Sequence, residues 1–92
     1  MSGSKKYKIE YLVMVLADIQ GLPNNIKKRI QEAIEERLAV DPVGFGKPLR
    51  YSLKGHRRLR VGDYRIVYRI ESVIDTVLIV AIKHRKDIYN LN

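Results

Sequence analysis

His56, Arg58 and Arg60 occupy alternate positions of one stretch with strand character, and His84, Arg85 and Tyr89 follow a later apolar run. Residues two apart on a strand share a face, so the first three gather on one side of a sheet. Arginine presents planar, paired donors to phosphate oxygens, while histidine and tyrosine carry protons. Such groups suffice to cut an RNA phosphodiester without metal. One activates the 2′-OH, fixed positive charge stabilises the extra negative charge, and an acid protonates the departing 5′-oxygen. The basic stretch lacks the pair of carboxylates that a two-metal nuclease uses. With no cysteine and two histidines, no full zinc site is available either, and no cofactor is expected. Each residue also has an ordinary structural use. Alone, His56 would be an exposed strand residue, Arg57 and Arg69 would solvate the sheet or pair with acids such as Glu71, and Tyr64 and Tyr68 would be core aromatics. From composition and spacing alone, the conclusion is an anion-binding sheet face.

The elements that must position these residues follow from hydrophobic periodicity. Tyr7, Ile9 and Tyr11 alternate with Lys6, Lys8 and Glu10, the period of a half-buried strand. Leu12 to Gln20 predicts a short helix stopped at Gly21 and Pro23, although Val13 and Val15 would let the strand run on. Ile26, Ile30, Ala33, Ile34 and Leu38 recur at helical spacing, giving an amphipathic helix of about four turns that ends at Asp41–Pro42. Gly44 to Pro48 is read as a loop and Leu49 to Leu53 as a short strand. His56–Val61 and Tyr64–Glu71 flank the two-residue turn Gly62–Asp63, predicting a hairpin. Thr76–Lys83 is apolar on both faces and should be a covered central strand. Arg85–Tyr89 reads as one helical turn. The expectation is an α+β domain over residues 1–92, with residues 1–5 a polar leader. Two N-terminal helices would pack on a curved antiparallel sheet of about four to five strands.

The net charge is +8, from 18 Lys and Arg against 10 Asp and Glu. Most of it is local: residues 47–69 hold eight of the cations and Asp63 as their single acid. A basic region this concentrated is a footprint for a phosphate backbone or an acidic partner. No apolar run approaches the roughly 18 residues of a membrane span, and no signal-peptide pattern is present, so a cytoplasmic protein without a membrane partner is expected.

The stretch from Gly46 to Ile70 reads G-K-P-L-R-Y-S-L-K-G-H-R-R-L-R-V-G-D-Y-R-I-V-Y-R-I, and closely resembles the signature of the RelE/ParE superfamily of type II toxin–antitoxin toxins. His84-Arg85 with Tyr89 resembles the family's closing H-R-x-x-x-Y, and the resemblance runs from Tyr7 onward. It implies helices packed on an antiparallel sheet. In the RelE-like branch it implies a ribosome-dependent endoribonuclease that cuts messenger RNA in the A site, leaving a 2′,3′-cyclic phosphate and a 5′-hydroxyl. A co-encoded antitoxin would wrap the toxin in a hetero-oligomer.

Carried over by motif position, Arg58, Arg65, Arg85 and Tyr89 would be catalytic: a basic strand residue, the transition-state arginine, the arginine assisting the leaving oxygen, and the tyrosine that orients the nucleotide. His56 stands where the branch has a lysine thought to act as base, a role an imidazole suits. Lys54, Arg60, His84 and Lys86 would contact phosphate or ribosomal RNA. Two departures from this picture are possible: a ParE-like toxin that inhibits DNA gyrase by protein binding, and a member that only binds its antitoxin. The first helix is more apolar than the family pattern, which implies extra burial under an antitoxin segment or in a contact between copies.

Overall fold

The computed structural model describes residues 6–87. Strand β1 (Lys8–Tyr11) leads into helix α1 (Val13–Gln20), and helix α2 (Asn24–Ala33) continues through a wider π turn at Ile34–Leu38. A short helix α3 (Pro42–Phe45) precedes strands β2 (Lys47–Pro48), β3 (Arg57–Val61), β4 (Tyr64–Glu71) and β5 (Thr76–His84). Among the described residues these five strands form one sheet in the order β1-β5-β4-β3-β2. No helix among them is long and apolar enough to cross a membrane.

The strand does end before Val13, so the apolar run from there is helical. Gly21 keeps a right-handed conformation (φ −81°, ψ −5°), so α1 stops without a left-handed glycine. Pro23, which cannot donate to a helical ladder, enforces the break instead. The α2 stripe behaves as its spacing requires: Ile30, Ala33, Ile34 and Leu38 are buried, and Ile26 is partly so. They meet Val15 and Ile19 of α1 and the row Leu59, Val61, Ile66, Tyr68, Val77, Ile79 and Ile82 on one sheet face. Burying each such side chain contributes about 1.5–3 kcal/mol before entropy is counted. Strand β5 lies between β1 and β4, as its apolar character demanded.

Three expectations change. The sheet is mixed, because β1 runs parallel to β5 (Ile9 beside Val77, Tyr11 beside Ile79) while the other pairs are antiparallel. A parallel neighbour requires a crossover, and here the intervening helices and hairpins supply it. Gly44 to Pro48 is not all loop, because α3 extends to Phe45 and β2 takes Lys47–Pro48: Asp41 Oδ1 accepts from Gly44 N at 3.0 Å and caps α3. Residues 49–53 are no strand. Pro48, without an N–H, ends β2 after two residues, and Tyr51 (φ 58°) opens a 3₁₀ turn at Tyr51–Leu53.

The hairpin is closed as expected by Gly62–Asp63, with Val61 opposite Tyr64. Gly62 takes φ 59°, which a glycine at the first central position of a type II′ turn supplies without steric penalty. Helix α1 buries only Val15 and Ile19, leaving Val13 84%, Met14 67% and Leu16 48% exposed. The extra burial expected for this helix is therefore not provided by the described residues of this chain.

Candidate nucleic-acid interface

The two faces of the hairpin are chemically opposite. Leu59, Val61, Ile66 and Tyr68 point to the helices, and the intervening residues Arg58, Arg60, Arg65 and Val67 point away. Pairing register then does something that spacing in one strand cannot reveal. Arg60 lies directly opposite Arg65, and Arg65 directly opposite Lys83 on β5. Three cations thus form a rung across three adjacent strands, about 4.8 Å apart at the backbone. Like charges facing each other across a ladder destabilise a sheet, so the arrangement works against the fold and favours an anion.

The electrostatics centre on Arg65. Its guanidinium is held below the usual arginine range first by desolvation, then by repulsion from Arg60, Arg58 and Arg85. Arginine nevertheless stays charged at neutral pH, so this repulsion is available to be relieved by phosphate. Arg85 is tied to the hairpin tip: its N–H donates to the Asp63 carbonyl at 2.7 Å, and Nη1 lies 3.7 Å from Asp63 Oδ1. Arg60, Gly62, Asp63, Arg65 and Arg85 line a cleft of about 400 Å³.

Of the expected site residues, Arg58, Arg60, Arg65 and Arg85 therefore come together. His56 precedes β3 by one residue, two positions from Arg58 and four from Arg60, or roughly 13 Å along the strand from the latter. Its backbone closes the 49–56 loop, N–H to Leu53 O and C=O from Leu49 N, both 2.9 Å. The ring is half-buried, and Nδ1 is enclosed without a partner among the described residues. Lys54 is exposed in the same loop, and Lys86 is exposed after β5. His84 lies on the Tyr64 row of the sheet and lines a cleft with Asp63, Arg85 and Lys86. It sits opposite Tyr64, the ring centroids 5.1 Å apart and edge to face, and its Nδ1 accepts from Lys86 N at 3.1 Å. Ala17, Asp18 and Leu22 of the helical layer line another cleft beside it. Tyr89 lies outside the described residues.

Two neighbours serve structure: Arg69 pairs with an acid as expected, whereas Arg57 braces backbone carbonyls instead of solvating the sheet or pairing with an acid. Arg69 Nε pairs with Glu71 Oε2 at 2.5 Å. Arg57 reaches from the core row to the 42–47 segment, where Nη2 donates to Val43 O at 2.7 Å and Gly46 O at 2.8 Å. The fully buried Tyr68 donates its hydroxyl to Pro42 O at 2.5 Å. Burial raises the Tyr68 phenol above its ordinary value, an effect that Arg57 opposes and Asp41 reinforces. Lys83 was missed in the sequence, where it reads as the polar end of an apolar strand. Only the β4–β5 register sets it beside Arg65.

Residues 9–89 match the family described as the ParE toxin of type II toxin–antitoxin systems, parDE. Toxin RelG of Mycobacterium tuberculosis is 36% identical over 83 residues, 90% of this chain and 95% of that protein. Toxin RelE of the same organism is 35% identical over 92 residues, 100% of this chain and 95% of that one. Among solved structures, the RelBE2 toxin–antitoxin complex of M. tuberculosis superposes with a TM-score of 0.84 at 32% identity, covering 95% of this chain and 100% of that one. The isolated E. coli RelE toxin shares the fold at a TM-score of 0.71 and 14% identity, over 85% of this chain and 83% of that one.

Proposed function

The chain belongs to the ParE-toxin family of type II toxin–antitoxin systems, and from that premise we propose that it is a ribosome-dependent messenger-RNA endoribonuclease restrained by a cognate antitoxin. The observation that carries this reading is the rung Arg60–Arg65–Lys83 with Arg58 and Arg85 around it. It supports a site that receives a phosphodiester. The sequence relatives named RelG and RelE favour the RNA-cleaving branch.

In this reading the RNA 2′-oxygen attacks the adjacent phosphorus. The 2′-O–P bond forms, the P–O5′ bond breaks, and a 2′,3′-cyclic phosphate and 5′-hydroxyl leave. Arg65 and Arg58 hold the doubly charged transition state, where fixed donors act most strongly. Arg85, braced by Asp63, assists the leaving 5′-oxygen, which takes its proton from water. His56, two residues from Arg58, takes the 2′ proton through Nε2, since Nδ1 is enclosed. Tyr89 orients the nucleotide, and Lys54, Arg60 and Lys86 contact flanking phosphates. His84, packed on Tyr64 and lining a cleft with Asp63, Arg85 and Lys86, contacts phosphate beside Arg85. The site of action is the ribosome in the cytoplasm.

The antitoxin reading draws on the neighbouring RelB–RelE complexes and on the exposed Val13, Met14 and Leu16 of α1, an apolar row for an antitoxin segment to cover. A second reading, a gyrase inhibitor acting by protein binding, is favoured by the ParE name of the matching family. Growth arrest separates the two. In cells expressing the Arg65→Ala, Tyr89→Phe double variant, a nuclease loses its toxicity. Arrest that persists at parental strength would establish the inhibitor instead.

A further inference from the structure

We propose that the open edge of β3 carries a second RNA subsite, which receives a nucleotide flanking the three around the bond being cut. The proposal rests on the reading of the Arg60–Arg65 row as an RNA site and extends it to residues with no role there. Arg37, Phe45, Lys47, Arg58, Leu59 and Arg60 line a cleft of about 380 Å³. Arg60 also lines the cleft of Arg65 and Arg85, so the two are contiguous through one guanidinium. Four of the six lining residues are cationic and none is acidic.

The cleft exists because β2 is only two residues long. Lys47 and Pro48 pair with Arg58 and Arg57, leaving β3 uncovered beyond Arg58. The Arg58 carbonyl faces the β2 side, 3.0 Å from where a Cβ on Gly46 would stand. Backbone polarity repeats every second residue, so the Arg60 N–H faces the same open edge and adds a donor.

Phe45 supplies what a phosphate site alone would not need. It is 49% exposed, beside cations, at the end of a helix built to hold it still. Asp41 caps that helix, Phe45 N bonds to Asp41 O at 3.1 Å, and Arg57 and Tyr68 anchor the flanking carbonyls. A rigid aromatic face beside convergent cations suits one unstacked base and its phosphate. An acidic peptide would use the cations and leave the ring without a specific partner.

The test is fluorescence anisotropy of the full chain with 2′-O-methylated RNA, which 2′-OH attack cannot cut. Oligonucleotides of three and six nucleotides are titrated across a salt series. For Arg37→Ala, Lys47→Ala, six-nucleotide affinity should fall about tenfold or more and the log–log salt slope by about 1.4, two contacts at ~0.7 each, while three-nucleotide binding holds within about twofold. Phe45→Ala should weaken the longer oligonucleotide about tenfold with an unchanged slope, and Phe45→Trp should restore it. All three side chains are exposed, and thermal melts show whether each variant is folded. Folded variants that keep parental six-nucleotide affinity and slope would overturn the subsite. So would a loss confined to binding of the antitoxin, which would make the cleft a protein surface. If Arg65→Ala abolishes cleavage while these variants bind normally, the nuclease reading stands and the subsite falls. If they lose RNA while the parent chain cuts no RNA with or without programmed ribosomes, the subsite stands and the nuclease reading falls.

Discussion

Arg65→Ala is expected to slow cleavage about 100- to 1000-fold, the effect of removing one fixed donor from a developing oxyanion. The same substitution should leave the melting temperature unchanged or slightly raised. Arg65 stands between Arg60 and Lys83 and is repelled by Arg58 and Arg85, so its loss relieves strain in the free protein. Opposite signs for activity and stability are the mark of a residue kept for its ligand. Arg65→Lys preserves the charge without the planar fork, and should recover only part of the rate. Single-turnover cleavage on programmed ribosomes, read beside thermal unfolding, measures both effects. A rate within about tenfold of the parent would remove Arg65 from the chemistry, and a large fall in stability would make its role structural.

Gly46→Ala should destabilise the fold on the order of 2–4 kcal/mol, combining overpacking with a lost buried hydrogen bond. A Cβ at Gly46 would overlap the Tyr68 hydroxyl, lie 2.7 Å from its Cζ, and crowd the Arg58 carbonyl at 3.0 Å. Tyr68 is fully buried in the core and has no room to retreat. The hydroxyl would therefore surrender Pro42, and the segment carrying Phe45 and Lys47 would loosen with it. For a chain of this length, a fall in melting temperature of roughly 10–25 °C follows. A loss below about 1 kcal/mol in chemical denaturation would mean that the segment is not held as described. Tyr68→Phe should cost less, about 1 kcal/mol, because it removes the bond without adding an atom.

The sequence was most legible where one period governed a whole element. Ile26, Ile30, Ala33, Ile34 and Leu38 share a face only in a helix, and they are that helix's packed stripe. Arg58 and Arg60 alternate with Leu59 and Val61, so the basic face of the hairpin could be read before any pairing was known. What alternation cannot carry is direction or register. The parallel placement of β1 beside β5 depends on the path of the chain between them. Lys83 enters the cationic rung only through the β4–β5 pairing. His84, one residue on, falls on the Tyr64 row, as alternation along β5 requires. Arg37 and Lys47, on different elements, meet beside β3 only in the folded chain. Arg57 was read as solvating the sheet or pairing with an acid, yet from the core row it braces two backbone carbonyls.

The most direct test of the central claim is primer extension on a defined messenger RNA incubated with the purified chain, with and without programmed ribosomes. Ribosome-dependent cuts within the A-site codon, leaving 2′,3′-cyclic phosphate ends and lost in Arg65→Ala, are the expected result. No cleavage in either reaction, from protein that still arrests growth, would contradict it and leave the basic face as a binding surface for another target.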